Sequence, residues 1–331
     1  MKTRLLILVF LLVTLGSIGQ AQEYYTYYYG LTPVYRSLYE IKPFFEYTRV
    51  VKSAWKRPEP ELIKLRDGIE PVVLVHGIDP DEIYGVWTVY KKMLTDSWKK
   101  FLPEEYGLYI FLYPSLDIPL EEIANALVKQ ISNLSYKVNI YAHSMGGIVV
   151  RYALQDEKFR ESVSKVVFAG TPHIGSPLAN FVVMDKSILK LHPKYDIIRP
   201  VLLSANISGV FIEAPNYKYI SVGFNNPDIP NGVEFLNFAG FVISDLSKMI
   251  LNLVETEIFS TTALYVLNAV VKTLYPEDSI YVQNDGMVPL ASAIYYGKEK
   301  VFPMYDHADL AFSEKVVKEA INYFYRPNNE N

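Results

Sequence analysis

The sequence predicts an α/β protein in which a mostly parallel sheet is flanked by helices. From Pro71 onward, short apolar segments of strand length alternate with longer segments whose apolar residues recur at helical spacing. The strand segments are apolar on both faces, which is typical of parallel strands covered by helices on both sides. The chain has 331 residues, half of them hydrophobic, so a large core can form.

Six segments are predicted as strands. The first four follow one another closely, whereas the last two are separated by long stretches of other sequence. They are Pro71–His76, Leu108–Tyr113, Val138–Ala142, Lys165–Gly170, Tyr217–Phe224 and Lys300–Met304.

Four segments are predicted as helices between and after these strands. The second of them has Pro119 at its start and acidic residues directly after it, and both features favour a helix N-terminus. Helical connections of this length return the chain to the same edge of the sheet, which predicts parallel neighbours. The helices are Val86–Leu102, Pro119–Leu134, Gly146–Gln155 and Asp309–Tyr325.

The first 21 residues are predicted to be a secretory signal peptide. Lys2 and Arg4 precede the apolar run Leu5–Leu15, and Gly19–Ala21 supplies the small residues of a cleavage site. The run is shorter than the ~20 residues of a spanning helix, so a retained anchor is the weaker interpretation. We expect a protein that is secreted, or held in the periplasm or cell envelope, without a transmembrane helix in the mature chain.

Residues 22–70 form an aromatic-rich N-terminal segment, and residues 71–325 are predicted to form the α/β domain. The alternation of strands and helices is interrupted over about residues 176–278, which we interpret as an insertion. Two apolar stretches in it, Phe235–Val254 and Ile258–Leu274, are predicted to be helices.

Composition excludes several classes of function. The net charge is −4 and the two signs are interspersed, so no basic surface for nucleic acid is expected. The chain contains no cysteine, which excludes disulfides, thiolate catalysis and cysteine-ligated zinc.

Ser144 lies in the motif AHSMGG, directly after a predicted strand. A nucleophilic serine on a tight strand-to-helix turn needs small residues two positions before and two positions after it. Ala142 and Gly146 occupy those positions. On this motif alone, an incidental serine in a glycine-rich turn remains an alternative.

A second motif, VHGI, supplies a candidate oxyanion site. Gly77 ends the strand that comes two strands earlier than the one before Ser144. Backbone N–H groups that point at a developing negative charge are what acyl transfer requires. The amides of Ile78 and Met145 are the candidate donors.

One of the five histidines is the candidate base. His307 follows the last predicted strand and precedes the last predicted helix. His76 and His143 lie inside the two motifs and are expected to be structural. His173 follows the strand after the serine motif, and His192 lies in the insertion.

The candidate acid is Asp285, in the turn-forming sequence NDG, 22 residues before His307. The alternative interpretation of Asp285 is a plain turn residue, because N-D-G favours turns. Asp228, soon after the predicted strand Tyr217–Phe224, is the rival for the role. Asp306 adjoins the histidine and is expected to point away from it.

Five motifs in this order, VHGI, AHSMGG, GTPHIGSP, NDGMVP and DHADL, resemble those of secreted microbial lipases and esterases of the α/β-hydrolase superfamily. The resemblance spans roughly Pro71–Asn180 and Gln283–Leu310. VHGI and AHSMGG are similar to small Bacillus-type lipases, and NDGMV with its following histidine is similar to larger Pseudomonas- and Burkholderia-type lipases. It implies an α/β-hydrolase fold with a helical cap or lid.

The larger lipases carry a structural calcium, one of whose aspartates lies two residues after the catalytic histidine. Asp309 has this spacing, and its partner would be a residue such as Asp228. The cysteines of those lipases are missing here. We prefer a role for Asp309 in capping the last helix, and we predict no metal and no cofactor.

These features predict a serine carboxylic-ester hydrolase, a lipase or esterase that acts through an acyl-enzyme on esters of medium to long chain. Ser144 would attack the acyl carbon, His307 would transfer the proton, and Asp285 would orient the imidazole. The expected partner is an acyl ester or lipid, including lipid at a water interface. Alternatives are an acyltransferase with the same triad, a peptidase, and a non-catalytic binding protein of the same fold.

The apolar insertion bears on the substrate. It could be a fixed cap that walls an acyl pocket, or a mobile lid that turns its apolar face toward a lipid surface. Either arrangement places apolar surface above the nucleophile, so both predict a preference for medium or long acyl chains over acetate.

Overall fold

A computed structural model describes residues 59–79, 82, 87–183, 214–242, 272, 275 and 279–326. Seven strands of these residues form one sheet. They are β1 (Glu61–Arg66), β2 (Ile69–Val75), β3 (Tyr106–Leu112), β4 (Val138–His143), β5 (Val163–Ala169), β6 (Phe235–Phe241) and β7 (Glu299–Pro303).

The strands lie in the order β1-β3-β2-β4-β5-β6-β7. β1 pairs antiparallel with β3, and every other neighbouring pair is parallel. The predicted α/β class with a mostly parallel sheet is therefore confirmed. Because the parallel strands all end at one edge, the residues that follow them are brought together there.

Eight α-helices are described, and one 3₁₀-helix, Pro215–Ile220, follows the fifth of them. The four segments predicted as helices are confirmed, with a break at Ser313 in the last. The α-helices are α1 (Val89–Phe101), α2 (Leu120–Ile131), α3 (Met145–Ala153), α4 (Glu157–Glu161), α5 (Pro177–Val183), α6 (Leu290–Ala293), α7 (Asp309–Phe312) and α8 (Glu314–Tyr325).

The helices cover both faces of the sheet. Val73 and Val75 of β2 belong to the buried cluster that contains the inner sides of α2 and α3. Val72 and Leu74 belong to the cluster that contains the buried residues of α1 and α8. Alternate side chains of one strand thus face opposite layers, which explains why the strand sequences are apolar throughout.

The structure corrects two predicted elements of the insertion. Tyr217–Phe224 is not a strand, because Pro215–Ile220 forms the 3₁₀-helix. The stretch predicted as helix from Phe235 begins with strand β6, which hydrogen-bonds to β5 and β7. A continuous apolar run is compatible with a buried strand and with a buried helix. Here the segment forms a strand because it pairs with both β5 and β7.

Gly240 of β6 shows how closely the neighbouring loop approaches this strand. A Cβ at this position would lie 2.3 Å from the carbonyl oxygen of Tyr305. The loop that carries His307 therefore packs directly on the β6 backbone, which only glycine permits.

The sheet begins upstream of Pro71, since β1 starts at Glu61 and contributes the antiparallel edge. The predicted signal peptide, residues 22–58 of the aromatic-rich segment, and residues 184–213 and 243–271 of the insertion lie outside the described residues. His192 is among them. No helix in the described ranges has the length and apolarity needed to cross a bilayer.

Candidate active site

Ser144 occupies the turn between β4 and α3 with a strained backbone. Its φ is 56° and its ψ is −128°, a region that non-glycine residues rarely adopt and that costs about 1–3 kcal/mol. Its N–H donates to the carbonyl of Ala169 at the end of β5, at 2.8 Å. His143 and Met145 on either side are buried, whereas Ser144 is partly exposed. The turn therefore presents the hydroxyl at the carboxyl edge of the sheet.

Glycines let the end of β2 pack against this turn. A Cβ on Gly146 would lie 2.5 Å from the carbonyl oxygens of Val75 and His76. A Cβ on Gly77 would lie 2.7 Å from the Cβ of Ser144 and 3.2 Å from its Oγ. Backbone cannot yield at such distances, so the motif's small residues are required by the approach of β2.

The loop after β2 is held on both sides of Ile78. His76 Nδ1 donates to the carbonyl of Gly77 at 2.8 Å, which fixes the peptide that carries the Ile78 N–H. Asp79 N–H donates to Ser115 Oγ at 2.9 Å. Within the described part of the chain, the N–H groups of Ile78 and Met145 donate no hydrogen bond. Both candidate oxyanion donors could therefore donate a hydrogen bond to a substrate oxygen.

His307 and Asp285 form a buried pair. His307 Nδ1 lies 2.7 Å from Asp285 Oδ2, and both side chains are almost fully buried. Asp285 Oδ1 accepts from the N–H groups of Met287 and Val288 at 2.9 and 2.7 Å. The carboxylate is therefore held by its own turn, and it fixes the tautomer and orientation of the imidazole.

The rival acid lies elsewhere. The Asp228 carboxylate accepts from the Tyr296 hydroxyl at 2.7 Å and stands near Arg151 rather than His307. The Arg151 guanidinium binds the carbonyls of Pro227 and His173. Asp228 thus belongs to the contacts around Arg151.

The His307 ring lies next to the end of β5. A Cβ on Gly170 would come within 3.1 Å of His307 Nδ1 and Cε1, and the preceding residue, Ala169, accepts the Ser144 N–H. No hydrogen bond between the Ser144 hydroxyl and His307 is formed among the described residues. Such bonds are often long in free enzymes and tighten when substrate binds.

The other described histidines are buried and hydrogen-bonded. Burial lowers the pKa of His76 and of His143 well below the usual value. Burial and the nearby Arg151 lower the pKa of His173 to about 3, and its Nε2 lies 3.0 Å from Asn237 Oδ1. The neutral form of each is therefore favoured.

A buried ionic cluster below the Ile78 loop had no recognisable signal in the sequence. Lys91 Nζ lies 3.3 Å from Asp79 Oδ2 and 3.6 Å from Glu82 Oε2, and all three side chains are almost fully buried. Glu82 also accepts from Ser115 Oγ and from the Leu116 N–H. Burial raises the pKa of Glu82 to about 7. In the sequence, Lys91 occupies an ordinary polar position of an amphipathic helix. Such a position is expected to be exposed, so the burial of Lys91 could not be predicted.

Asp306 and Asp309 bond to each other's backbone at the start of the short helix α7, whose N-cap residue, Ala308, has no side-chain cap. Asp306 Oδ1 accepts from the Asp309 N–H at 2.9 Å, and Asp309 Oδ2 accepts from the Asp306 N–H at 3.0 Å. Burial, with a contribution from Asp309, raises the pKa of Asp306 to about 7. The described residues contain no group of three or more histidine or carboxylate side chains that could hold a metal ion.

The chain is similar to known proteins in sequence and in fold. Residues 116–198 match the family model of the PGAP1-like alpha/beta domain. The mature form of the Bacillus licheniformis lipase BlEst2 is 18% identical, with a TM-score of 0.56 over 80% of this chain and 98% of that one. Identity at this level shows a shared fold, and the chain has the α/β-hydrolase fold.

Two further solved structures are similar over a comparable part of the chain. The propeptide form of BlEst2 is 18% identical, with a TM-score of 0.49 over 82% of this chain and 55% of that one. An esterase from Thermogutta terrifontis is 18% identical, with a TM-score of 0.40 over 81% and 93% of the two chains.

Proposed function

We propose that this chain is a serine carboxylic-ester hydrolase, a lipase or esterase. The observation that supports it most is the arrangement around Ser144. Its hydroxyl stands on a strained turn at the edge of the sheet, beside the loop of Ile78 and near the buried His307–Asp285 pair. Nucleophile, base, acid and oxyanion donors are the parts that acyl transfer through serine needs.

In the proposed reaction, Ser144 Oγ attacks the acyl carbon while His307 Nε2 accepts the hydroxyl proton. The carbonyl oxygen becomes an oxyanion, which the N–H groups of Ile78 and Met145 would stabilise by roughly 3 kcal/mol each. The intermediate collapses when the C–O bond to the alcohol breaks and His307 returns its proton to the leaving oxygen. Asp285 stabilises the imidazolium throughout. Water then attacks the acyl-enzyme by the same route and releases the acid.

We propose acyl esters of medium to long chain as the substrates. The support is the apolar sequence of the insertion, which follows the carboxyl ends of β5 and β6 and therefore leaves the sheet at the edge where Ser144 lies. The N-terminal sequence supports export, so a substrate outside the cytoplasm or in the envelope is proposed as well.

The test combines labelling with a substrate series. A fluorophosphonate probe is expected to label the wild-type chain and to leave Ser144→Ala unlabelled, because the probe needs an activated serine. Hydrolysis of p-nitrophenyl esters from two to sixteen carbons, and of a triglyceride emulsion, defines the acyl preference. Product analysis with an added acceptor alcohol separates hydrolysis from acyl transfer. A wild-type chain that neither reacts with the probe nor hydrolyses any ester would be a non-catalytic member of the fold.

A further inference from the structure

A buried path of hydrogen bonds connects three parts of the candidate site. The N–H of Gly77 donates to Tyr90 Oη at 3.0 Å. Tyr90 Oη lies 2.6 Å from His143 Nδ1, and His143 Nε2 lies 2.8 Å from the carbonyl oxygen of His307. The path therefore runs from the residue before one oxyanion donor, through the residue before Ser144, to the main chain of the base.

The partners at the two ends fix the direction of every bond in this path. A carbonyl oxygen only accepts, so His143 Nε2 carries the hydrogen and donates to His307. The neutral ring, which burial favours, then has Nδ1 as an acceptor, and the Tyr90 hydroxyl donates to it. The Tyr90 oxygen in turn accepts from Gly77.

Ring contacts hold the same groups in place. The His143 ring lies 4.7 Å from the His307 ring, centroid to centroid, and 5.6 Å from the Tyr90 ring. Tyr90 and His143 are each at most 5% exposed, so neither can touch a substrate. They can affect the reaction only by positioning the groups to which they bond, the Gly77 N–H and the His307 carbonyl.

We propose that Tyr90 and His143 are positioning residues of the hydrolase. Tyr90 fixes the Gly77 end of the oxyanion loop, and His143 fixes the backbone of His307, both relative to Ser144. This inference rests on the proposed function. Oxyanion donors and a base act strongly only when they are held in place before the reaction, and misplacement by about 1 Å can cost about a hundredfold in rate. The effect belongs to the transition state, so it should appear in kcat and leave KM almost unchanged.

The first test is Tyr90→Phe, which removes one oxygen and keeps the ring. The Gly77 N–H and His143 Nδ1 then lose their partner, and we expect kcat to fall about 10- to 100-fold with KM within about twofold. Rates are normalised to the serine titrated by the fluorophosphonate, so that unfolded chain does not contribute.

Tyr325→Phe is the matched control. The Tyr325 hydroxyl donates to the carbonyl of Glu70 at 2.7 Å, at the opposite end of β2 from Gly77. Its loss should lower the melting temperature and leave kcat within about twofold. Equal kcat in Tyr90→Phe and Tyr325→Phe would overturn the inference, since Tyr90 would then serve stability alone.

His143 is tested with a pair of variants. Glutamine can present an oxygen to Tyr90 and an N–H group to His307, whereas leucine can do neither. We expect His143→Gln to retain at least about tenfold more kcat than His143→Leu at similar melting temperatures. If both variants fail to fold, Tyr90→Phe decides alone. If wild type does not react with the probe, the proposed function falls; if it reacts and Tyr90→Phe matches it, only the positioning role falls.

Discussion

Asp285 and His307 are joined twice, once through their side chains at 2.7 Å and once through the main chain, where the His307 N–H donates to the Asp285 carbonyl at 2.9 Å. The second bond ties the loop after β7 to the turn before α6. The backbone of His307 therefore stays next to that of Asp285, and the side-chain bond sets the orientation of the imidazole. This double attachment supports the proposed role of Asp285 in orienting His307.

Replacing Asp285 by asparagine should reduce kcat by roughly three to four orders of magnitude. An amide can turn its NH₂ group toward Nδ1 and stabilise the wrong tautomer, in which Nε2 is no longer a base. Asp228→Asn should keep kcat within about threefold, because Asp228 pairs with Tyr296. Ester hydrolysis of both purified variants gives the comparison. The opposite ranking would assign the acid role to Asp228.

Ser144→Ala and His307→Ala should each lose at least about three orders of magnitude in esterase activity and remain folded. Both variants should remain folded. Ser144 bonds to the sheet through its backbone N–H, which alanine keeps, and His307 lies in a loop. Circular dichroism monitors the fold, and p-nitrophenyl ester hydrolysis monitors activity. Near-wild-type turnover of clean protein in either variant would end the triad assignment.

Gly77→Ala should damage activity more than its small size suggests. The new methyl group would lie 2.7 Å from the Ser144 Cβ, so either the nucleophile turn or the Ile78 loop must shift. We expect at least a tenfold loss of kcat. Gly223→Ala is the control for an added methyl group without a clash. Its φ of 89° strains an alanine, but no atom lies within 4 Å of the added carbon. Steady-state kinetics on both variants test this, and equal kcat values would show that the contact at Ser144 is harmless.

Asp306→Asn should change how stability depends on pH. The pKa of Asp306 is raised from 3.8 to about 7 by burial, by Asp309 and to a smaller extent by Asp285. The folded state therefore binds this proton more tightly than the unfolded state, and stability falls as pH rises from about 4 to about 7. Asparagine keeps an oxygen that can accept from the Asp309 N–H, and it cannot ionise. We expect the variant to gain at least about 1 kcal/mol relative to wild type between pH 4.5 and 8.

Urea unfolding of both proteins at the two pH values measures this difference. Titrating groups that do not interact with Asp306 cancel in the comparison, so the difference reports Asp306 together with its neighbours Asp309 and Asp285. A constant difference across the range would mean that Asp306 ionises normally in the folded protein.

The substrate prediction is tested by the rate across the solubility limit of a medium-chain ester. A mobile lid predicts a jump in rate when substrate aggregates form, because a lipid surface would favour the open state. A fixed cap predicts a smooth rise. If acetate esters have the highest kcat/KM, neither form of cap lies above the nucleophile.

The elements that sequence analysis predicted correctly are those with a local signal. The strands from β2 to β5 are apolar on both faces, and Ser144 is flanked by small residues next to such a strand. Asp285 lies in the turn sequence NDG and His307 follows a predicted strand. The structure brings their side chains into contact, and their catalytic roles stay predictions. In each case, a few neighbouring residues carry the information.

The elements that were missed depend on partners in other secondary-structure elements or loops. Phe235–Phe241 becomes a strand because β5 and β7 leave a place between them. Lys91 is buried because Asp79 and Glu82 reach it from the loop after β2. The hydroxyl of Tyr90 bonds to His143, 53 residues later, and its proposed positioning role depends on that contact. Tertiary contacts, rather than the local pattern of apolar and polar residues, decide each of these positions.

The hydrogen bond between His143 and His307 spans 164 residues of the chain. During synthesis, the nucleophile turn and the strands around it can therefore be complete long before the last strand and its loop leave the ribosome. If His307 is the base, as proposed, a nascent or truncated chain without this residue would hold Ser144 on its strained turn without activating it. Under the proposed function, hydrolytic activity is thus expected only after β7 and the loop that carries His307 have joined the sheet.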